Sequence, residues 1–378
     1  MQTISSKSLG NFTGAFADAA VLLPLLVALA LTTGYSGASL LLSAGVAYVA
    51  AGVWFRIPMS VQPLKSVVVT ALAVGASMAE IRLSGLIIGV LCLALSYMPS
   101  NRWAAKVPRS LIHGLQFGLG ILLIIKGLTW PLPTQTLPSL TTLVIIALAA
   151  IILVGLGTYF KKPIMGWVAS LAMLAAIITA FTTQSIANDT AALQPIITMR
   201  LDILLMLILP QIALTLTNSV VATSDVASRY YGEKATRATP KALLKSIGGG
   251  NIISAAIAGL PFCHGSGGIT AHHAGGAKTW HMNLIIGITL ILLAMAHAFI
   301  SPVIPAFHPW VIGVLLAATG VFHMKLAMPS LQHKLWRYQI ILMALATLWS
   351  QNLLIVLAVG IVLHYIFTVI LRQKNQEV

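Results

Sequence analysis

The sequence contains little charge, and very little of that charge is negative. Only 8% of its 378 residues are charged, with 7 acidic side chains against 22 lysines and arginines, whereas a soluble domain carries about 25% charged residues. Hydrophobic residues make up 58% of the chain. Apolar stretches long enough to cross a bilayer recur from Gly14 to the C-terminus. These features exclude an ordinary soluble enzyme and predict an all-α integral membrane protein.

Cysteine is nearly absent as well. Cys92 and Cys263 stand alone, without the paired spacing of a zinc finger or a disulfide framework, so we predict no metal site and no cofactor. The formal charge of +15 does not indicate nucleic-acid binding, because the basic residues lie in short loops between apolar segments. The first apolar run contains Asp18 and Pro24 and is predicted to be a span rather than a cleaved signal.

Fourteen apolar segments can be placed along the chain. Their approximate positions are 13–31, 37–55, 63–78, 82–98, 108–127, 139–158, 164–182, 202–223, 241–259, 265–275, 282–299, 308–321, 337–349 and 352–371. The third and tenth look too short to cross alone and follow extended, proline-containing leads, so we predict half-helices there. Seven spans in each half would invert one half relative to the other, which predicts a 7+7 inverted repeat with halves at 1–190 and 191–378.

The basic residues support this number of spans. If the N-terminus is cytoplasmic, all but four of the 22 lysines and arginines fall in cytoplasmic loops, as the positive-inside rule requires. The exceptions are Arg82, Lys126 and Arg200 outside and Lys65 within the membrane. We therefore predict a multi-pass protein of the cell membrane with both termini in the cytoplasm.

The two predicted breaks have the chemistry of an anion site. A helix that begins inside the membrane presents free backbone N–H groups and a partial positive charge. Gln62 and Lys65 lie at the first break, and a lysine there opposes the helix dipole unless an anion compensates it. The second break contains Gly265, Ser266, Gly267 and Gly268, which would let backbone donors approach a ligand closely. The alternatives for Lys65 are a snorkelling side chain or a salt bridge to Asp18.

The eighth segment adds polar groups. Gln211, Thr215 and Asn218 share one helical face, and we predict that Gln211 and Asn218 contact the substrate. The alternative is that these side chains hold neighbouring helices together, as polar residues do in membranes.

Ion coupling has two candidates. Asp18 is the only acidic residue clearly inside an apolar run, so we predict that it binds a coupled proton or sodium ion, with a structural partnership with Lys65 as the alternative. Histidines titrate near neutral pH, and His272 is the second candidate. His264, next to the glycines, is a candidate donor to the substrate.

Three motifs at these positions resemble the molybdate transporter family, a relative of the sulfate permeases. Val61-Gln62-Pro63-Leu64-Lys65, Pro210 through Ser219, and Cys263-His264-Gly265-Ser266-Gly267-Gly268 are similar to the family's P-V-Q-P-M-K, P-Q-x-P-L-T-L-x-N-S and C-H-G-A-G-G. Their order and separation agree along almost the whole chain. The resemblance implies a core domain and a gate domain, with substrate held between the third and tenth spans, and it adds Cys263 to the candidate binding residues.

The chain departs from the family pattern at two places. Ala17-Asp18-Ala19-Ala20-Val21 keeps the aspartate of the family's G-D-L-G-T but loses its glycines and threonine. His272-His273-Ala274-Gly275-Gly276 stands where the family has a Tyr-Arg-Phe-Gly stretch, so the arginine is missing.

We predict a secondary transporter that carries a small tetrahedral oxyanion by alternating access, with molybdate as first choice and sulfate or tungstate as alternatives. The expected partners are this oxyanion, a coupled proton or sodium ion, the lipid bilayer and a second copy of the chain in a homodimer. Nucleic acid is not expected.

Other functions fit the residues less well. A nucleobase-proton symporter would share the architecture, but it needs a carboxylate acceptor, and no Asp or Glu occurs from Ile203 through Ser224 or from Lys234 through Gln376. An intramembrane enzyme would need a nucleophile with a base, for which Ser266 beside His264 is the only pair worth naming, so we predict no enzyme. A channel is a further alternative, although paired broken helices suit alternating access better.

Overall fold

The chain is almost entirely helical in the computed structural model, which describes residues 2–99, 108–130, 139–183, 199–299 and 303–374. In chain order the α-helices are α1 (Gln2–Ala15), α2 (Ala19–Thr33), α3 (Gly37–Phe55), α4 (Lys65–Val74), α5 (Met78–Leu95), α6 (Arg109–Thr129), α7 (Leu140–Phe160), α8 (Ile164–Thr183), α9 (Leu201–Leu214), α10 (Thr223–Tyr231), α11 (Pro240–Ala256), α12 (Ser266–Ala274), α13 (His281–Phe299), α14 (Pro309–Ala327), α15 (Lys334–Ser350) and α16 (Leu353–Lys374). The two strands are β1 (Gln62–Pro63) and β2 (Phe262–Cys263).

Every one of the fourteen predicted segments contains a helix. Within the described residues, nine helical stretches are long and apolar enough to cross a membrane, and the chain is a multi-pass membrane protein. The first segment is interrupted, because a turn at 16–18 separates α1 from α2 and places Asp18 just before α2. The predicted boundary between the halves, at 190/191, lies outside the described residues.

Local sequence explains where several helices begin. Ser77 and Glu80 form a capping box at the start of α5, in which each side chain bonds the backbone N–H of the other residue. Thr239 caps α11 and is followed by Pro240 at the first helical position, where a missing N–H costs nothing. These caps fix where α5 and α11 begin.

Three pairs of helices cross at very short distance, namely α6 with α14, α3 with α13, and α5 with α11. At each crossing two glycines face each other, one from each helix. A Cβ added to the first glycine would lie very close to the carbonyl oxygen of the second. The distances are 2.6 Å for Gly120 and Gly320, 2.7 Å for Gly45 and Gly287, and 2.9 Å for Gly89 and Gly248. Small residues allow this approach, which is how helices gain packing contacts in a membrane.

A two-stranded sheet lies at the centre of the fold. β1 and β2 pair antiparallel, with Gln62 opposite Cys263 and Pro63 opposite Phe262. Each strand leads directly into a short helix, α4 of 10 residues and α12 of 9 residues. A helix of this length rises about 15 Å, which is half of the roughly 30 Å hydrocarbon layer. Because each helix follows its strand within three residues, both helices begin beside the sheet.

Candidate functional site

Buried asparagines hold the two extended leads that reach the sheet. Asn283 accepts a hydrogen bond from the Met59 N–H (3.0 Å) and donates to the Met59 carbonyl (2.7 Å). Asn251 does the same for Phe262, at 2.9 and 2.6 Å. Irregular backbone in a membrane needs such partners, because no water is present to satisfy its polar groups. The start points of α4 and α12 are thus fixed by side chains of α13 and α11.

A chain of three buried side chains runs from α2 through the sheet to α4. The Gln62 amide nitrogen lies 2.7 Å from both carboxylate oxygens of Asp18, and the Lys65 ammonium donates to the Gln62 amide oxygen at 2.6 Å. Among the described residues no ion pair joins Lys65 to Asp18. The Gln62 bond uses one of the three ammonium donors of Lys65.

Two glycines of α12 and its lead leave room for this chain of side chains. A Cβ on Gly265 would lie 2.0 Å from the Gln62 amide oxygen, and one on Gly268 would lie 2.4 Å from a carboxylate oxygen of Asp18. The Gly265 N–H already donates to the Ser60 hydroxyl at 3.0 Å, and Gly268 N–H to the Gly265 carbonyl at 3.1 Å. These two residues therefore serve close packing rather than offering backbone donors.

The next positions of α12 differ. Among the described residues, the N–H groups of Ser266 and Gly267 have no protein acceptor, as expected for the first turn of a helix. The Ser266 hydroxyl donates to the Asn218 amide oxygen at 2.7 Å. Gly267 is open, since a Cβ there would meet only the ring of Phe322, at 3.4 Å. The predicted backbone donors are thus confined to two residues.

The eighth segment reaches the same place through a change of helix type. The Gln211 amide oxygen accepts from the Ser66 N–H (2.9 Å), and its nitrogen donates to the Thr215 hydroxyl (3.0 Å). From Thr215 to Ala222 the backbone is π-helical, a form that is often found at functional sites. Gln211 therefore binds the first turn of α4, and Asn218 binds that of α12.

A small cavity of about 10 Å³ lies where these elements meet. Four of its lining residues were predicted from the sequence, namely Lys65, Gln211, Asn218 and Cys263, whereas Gln116, Ser219 and His323 were not. The volume accommodates about one water-sized sphere. A tetrahedral oxyanion would enter only if the surrounding helices moved apart.

The two predicted histidines lie elsewhere. Both ring nitrogens of His264 have protein partners, the Ser60 carbonyl at 2.8 Å and the Ser246 hydroxyl at 2.8 Å. The prediction that His264 donates to the substrate is not supported by this geometry, because the ring holds the lead of α12 in place. His272 is fully buried with its Nδ1 2.7 Å from the Gly14 carbonyl, and it lines neither the small cavity nor the larger opening described next.

A larger opening of about 500 Å³, which we call the vestibule, approaches the site from another side. Asp18, Gly267 and Phe322 are among its lining residues. Its lining also includes the exposed lysines Lys161, Lys162 and Lys325, all in loops that the sequence predicts to be cytoplasmic. Asp18 thus faces the vestibule, while Lys65, two hydrogen bonds away, faces the small cavity.

The family match includes nearly all of these residues. A family model described as "Molybdate transporter of MFS superfamily" matches residues 10–123 and 204–322, more than half of the chain. The chain belongs to this molybdate transporter family. The matched blocks contain Asp18, both strands, α4 and α12, and they end one residue before His323.

Sequence relatives are also transporters. Molybdate transporter 1 of Chlamydomonas reinhardtii is 30% identical over 118 residues, which is 30% of this chain and 23% of that protein. Molybdate transporter 2 of Arabidopsis thaliana is 23% identical over 370 residues, covering 85% of this chain and 78% of that protein. Molybdate transporter 1 of Arabidopsis thaliana is 21% identical and covers 83% and 79%. The prediction that this family member is not an enzyme is confirmed.

Solved structures share the fold at low identity. The transmembrane domain of the cyanobacterial bicarbonate transporter BicA superposes with a TM-score of 0.60 at 19% identity, covering 94% of this chain and 95% of that one. SLC26A9 gives 0.68 at 13% identity, covering 98% and 66%. Murine Slc26a9, an anion transporter in the inward-facing state, gives 0.65 at 15%, covering 96% and 68%. The fold is that of a helical membrane transporter.

Several residues that build the site were not predicted from the sequence. Gln116 and His323 line the cavity, and Asn251 and Asn283 hold the leads. Gln116, Asn251 and Asn283 are polar residues within predicted apolar segments, and His323 lies two residues after the end of one. That signal was visible in the sequence, but it does not tell which neighbour each residue contacts.

Proposed function

We propose that this family member is a secondary transporter that carries molybdate across the cell membrane by alternating access. The observation that carries the proposal is Lys65, whose side chain is only 6% exposed, begins a short central helix and faces a cavity without a direct carboxylate partner among the described residues. A buried ammonium beside helix N-termini and amide groups suits a dianion.

Sulfate and tungstate remain the alternatives to molybdate. All three are tetrahedral dianions that the same donors can hold. The choice of molybdate comes from the family and from the names of the curated relatives.

The inverted repeat is part of the proposal. If the second half repeats the first, α3 is equivalent to α11, α5 to α13 and α6 to α14. The α3–α13 crossing then corresponds to the α11–α5 crossing, and the α6–α14 crossing corresponds to itself. The corresponding glycines are 203, 198 and 200 positions apart (248 − 45, 287 − 89 and 320 − 120). The strands obey the same offset, since Gln62–Pro63 pairs with Phe262–Cys263. This regularity supports seven plus seven spans, with α4 and α12 as the half-helices.

We assign α1–α5 and α9–α13 to a core domain and α6–α8 and α14–α16 to a gate domain. The packing of α6 along α14, α15 and α16, and of α14 against α7, supports a common gate unit. The cavity would then lie between the domains, because Lys65 and Cys263 come from the core and Gln116 and His323 from the gate.

The vestibule supports an orientation. Its exposed lysines lie where the positive-inside rule puts the cytoplasm, so the structure would correspond to an inward-facing state with cytoplasmic termini. Asp18, at the inner end of this vestibule, is positioned to exchange a proton or sodium ion with the cytoplasm. His272 stays a weaker candidate for coupling, and the homodimer stays a prediction.

Transport is tested with purified protein in liposomes. We expect saturable uptake of radiolabelled molybdate, with competition by tungstate and sulfate ranking the three anions. Uptake of uracil without uptake of any oxyanion would contradict the proposal and favour a nucleobase symporter. Empty liposomes provide the background.

We expect Asp18→Asn to reduce the dependence of molybdate accumulation on an imposed pH or sodium gradient, because the carboxylate that faces the vestibule is lost. Binding should weaken less, since Lys65 and the amides of the cavity remain. Asp202→Asn is the control, because Asp202 is an exposed carboxylate at the start of α9. If Asp18→Asn keeps the full gradient dependence, Asp18 has a structural role only.

A further inference from the structure

His323 is an unusual buried histidine. It lies on α14 with a side chain only 4% exposed, and it lines the same cavity as Lys65. In the part of the chain that the structure describes, neither Nδ1 nor Nε2 of its ring has a hydrogen-bond partner. Buried polar atoms in native proteins nearly always have partners, so an imidazole with two open nitrogens needs an explanation.

Two other buried histidines each have at least one ring nitrogen bonded within the described residues, although the Nε2 of His272 also has no partner there. His264 uses both nitrogens, towards Ser60 and Ser246, and His272 uses Nδ1 towards the Gly14 carbonyl. The ring of Phe322 contacts that of His323 at a centroid distance of 5.9 Å, and a phenylalanine side chain has no nitrogen or oxygen to bond an imidazole. His323 differs from both in that neither of its nitrogens has a partner among the described residues, and it lines the cavity that contains Lys65.

We propose that His323 is a ligand of the transported oxyanion, contributed by the gate domain. The inference rests on the proposed function and adds a residue to its site. An imidazole carries at least one N–H donor in either protonation state, and an oxyanion offers acceptors on every face. Lys65 would bind the anion from the core side and His323 from the opposite side, with Gln116 of the adjacent α6 as a further donor.

In this arrangement the bound anion would help to close the site by contacting both domains. α14 packs along α6 and also contacts α2 of the core, and the cavity between them is now too small for an oxyanion. When the gate helices move apart to admit the anion, the ring N–H of His323 gains the acceptor that the fold does not supply. The anion then bridges core and gate.

The test compares molybdate affinities of purified wild-type and variant protein, measured by equilibrium binding of radiolabelled molybdate. His323→Leu should weaken binding about tenfold or more, because a hydrogen bond to a charged group is lost. His323→Gln keeps a donor of similar reach and should recover part of the affinity. His308→Ala, an exposed histidine before the same helix, should bind like the wild type.

Folding of each variant is checked by monodispersity and thermal stability. If the leucine side chain is not accommodated, His323→Ala is used in place of His323→Leu. Wild-type affinity in a folded His323→Leu or His323→Ala protein would overturn this inference while leaving oxyanion transport intact. Wild-type protein that binds no oxyanion would overturn the proposed function and this inference with it.

Discussion

Lys65→Met is expected to abolish molybdate uptake by a protein that still folds. The methionine keeps the length and apolar stem of the side chain but removes the one lysine or arginine that lines the cavity among the described residues. Loss of one partner from a buried, hydrogen-bonded charge pair costs about 2–5 kcal/mol, which corresponds to roughly 30-fold or more in affinity. Within the described residues, the one side-chain hydrogen bond that disappears is the 2.6 Å contact with Gln62.

The effect should appear in binding as well as in uptake, since we propose that the ammonium contacts the anion directly. Lys126→Met is the matched control, because Lys126 lies in α6 near its C-terminal end and does not line the cavity. A Lys65→Met protein with wild-type affinity would show that the anion binds elsewhere, and the vestibule lysines would then be the next candidates.

The sequence predicted the elements of this site better than their contacts. Proline-containing leads and the glycine-rich start of the tenth segment were enough to place both short helices, because helix starts depend on local residue types. Lys65 and Asp18 were predicted because a charge is costly in an apolar segment. The contact between Lys65 and Asp18 was not predicted correctly. Gln62 lies between the two side chains and bonds both, so they form no direct salt bridge.

Residues whose role depends on distant partners were harder to find. The motif places His264 beside the glycines, but Ser246 and Ser60 hold its ring, and neither contact can be inferred from spacing. The pairing of glycines at the three helix crossings could not be predicted from the sequence either, because a glycine in an apolar run does not indicate which residue it will contact. Only the packed structure reveals the offset of about 200 positions that supports the repeat.

Gly268→Ala should weaken oxyanion binding strongly, whereas Gly267→Ala should be tolerated. A Cβ on Gly268 would lie 2.4 Å from an Asp18 carboxylate oxygen, 2.5 Å from the Ser60 Cβ and 2.7 Å from the Gln62 amide nitrogen. All three neighbours are buried and held by other contacts. Overpacking of this kind costs about 1–3 kcal/mol or more, and here the atoms that must move are those that orient Lys65.

The neighbouring glycine provides the control within the same helical turn. A Cβ on Gly267 would make an ordinary contact with Phe322 at 3.4 Å, and alanine favours a helix by about 1 kcal/mol over glycine. We therefore expect Gly267→Ala to keep wild-type affinity and equal or higher thermal stability, and Gly268→Ala to lower both. Equal affinities in the two variants would mean that the Asp18–Gln62–Lys65 chain does not have to keep its present geometry for the anion to bind.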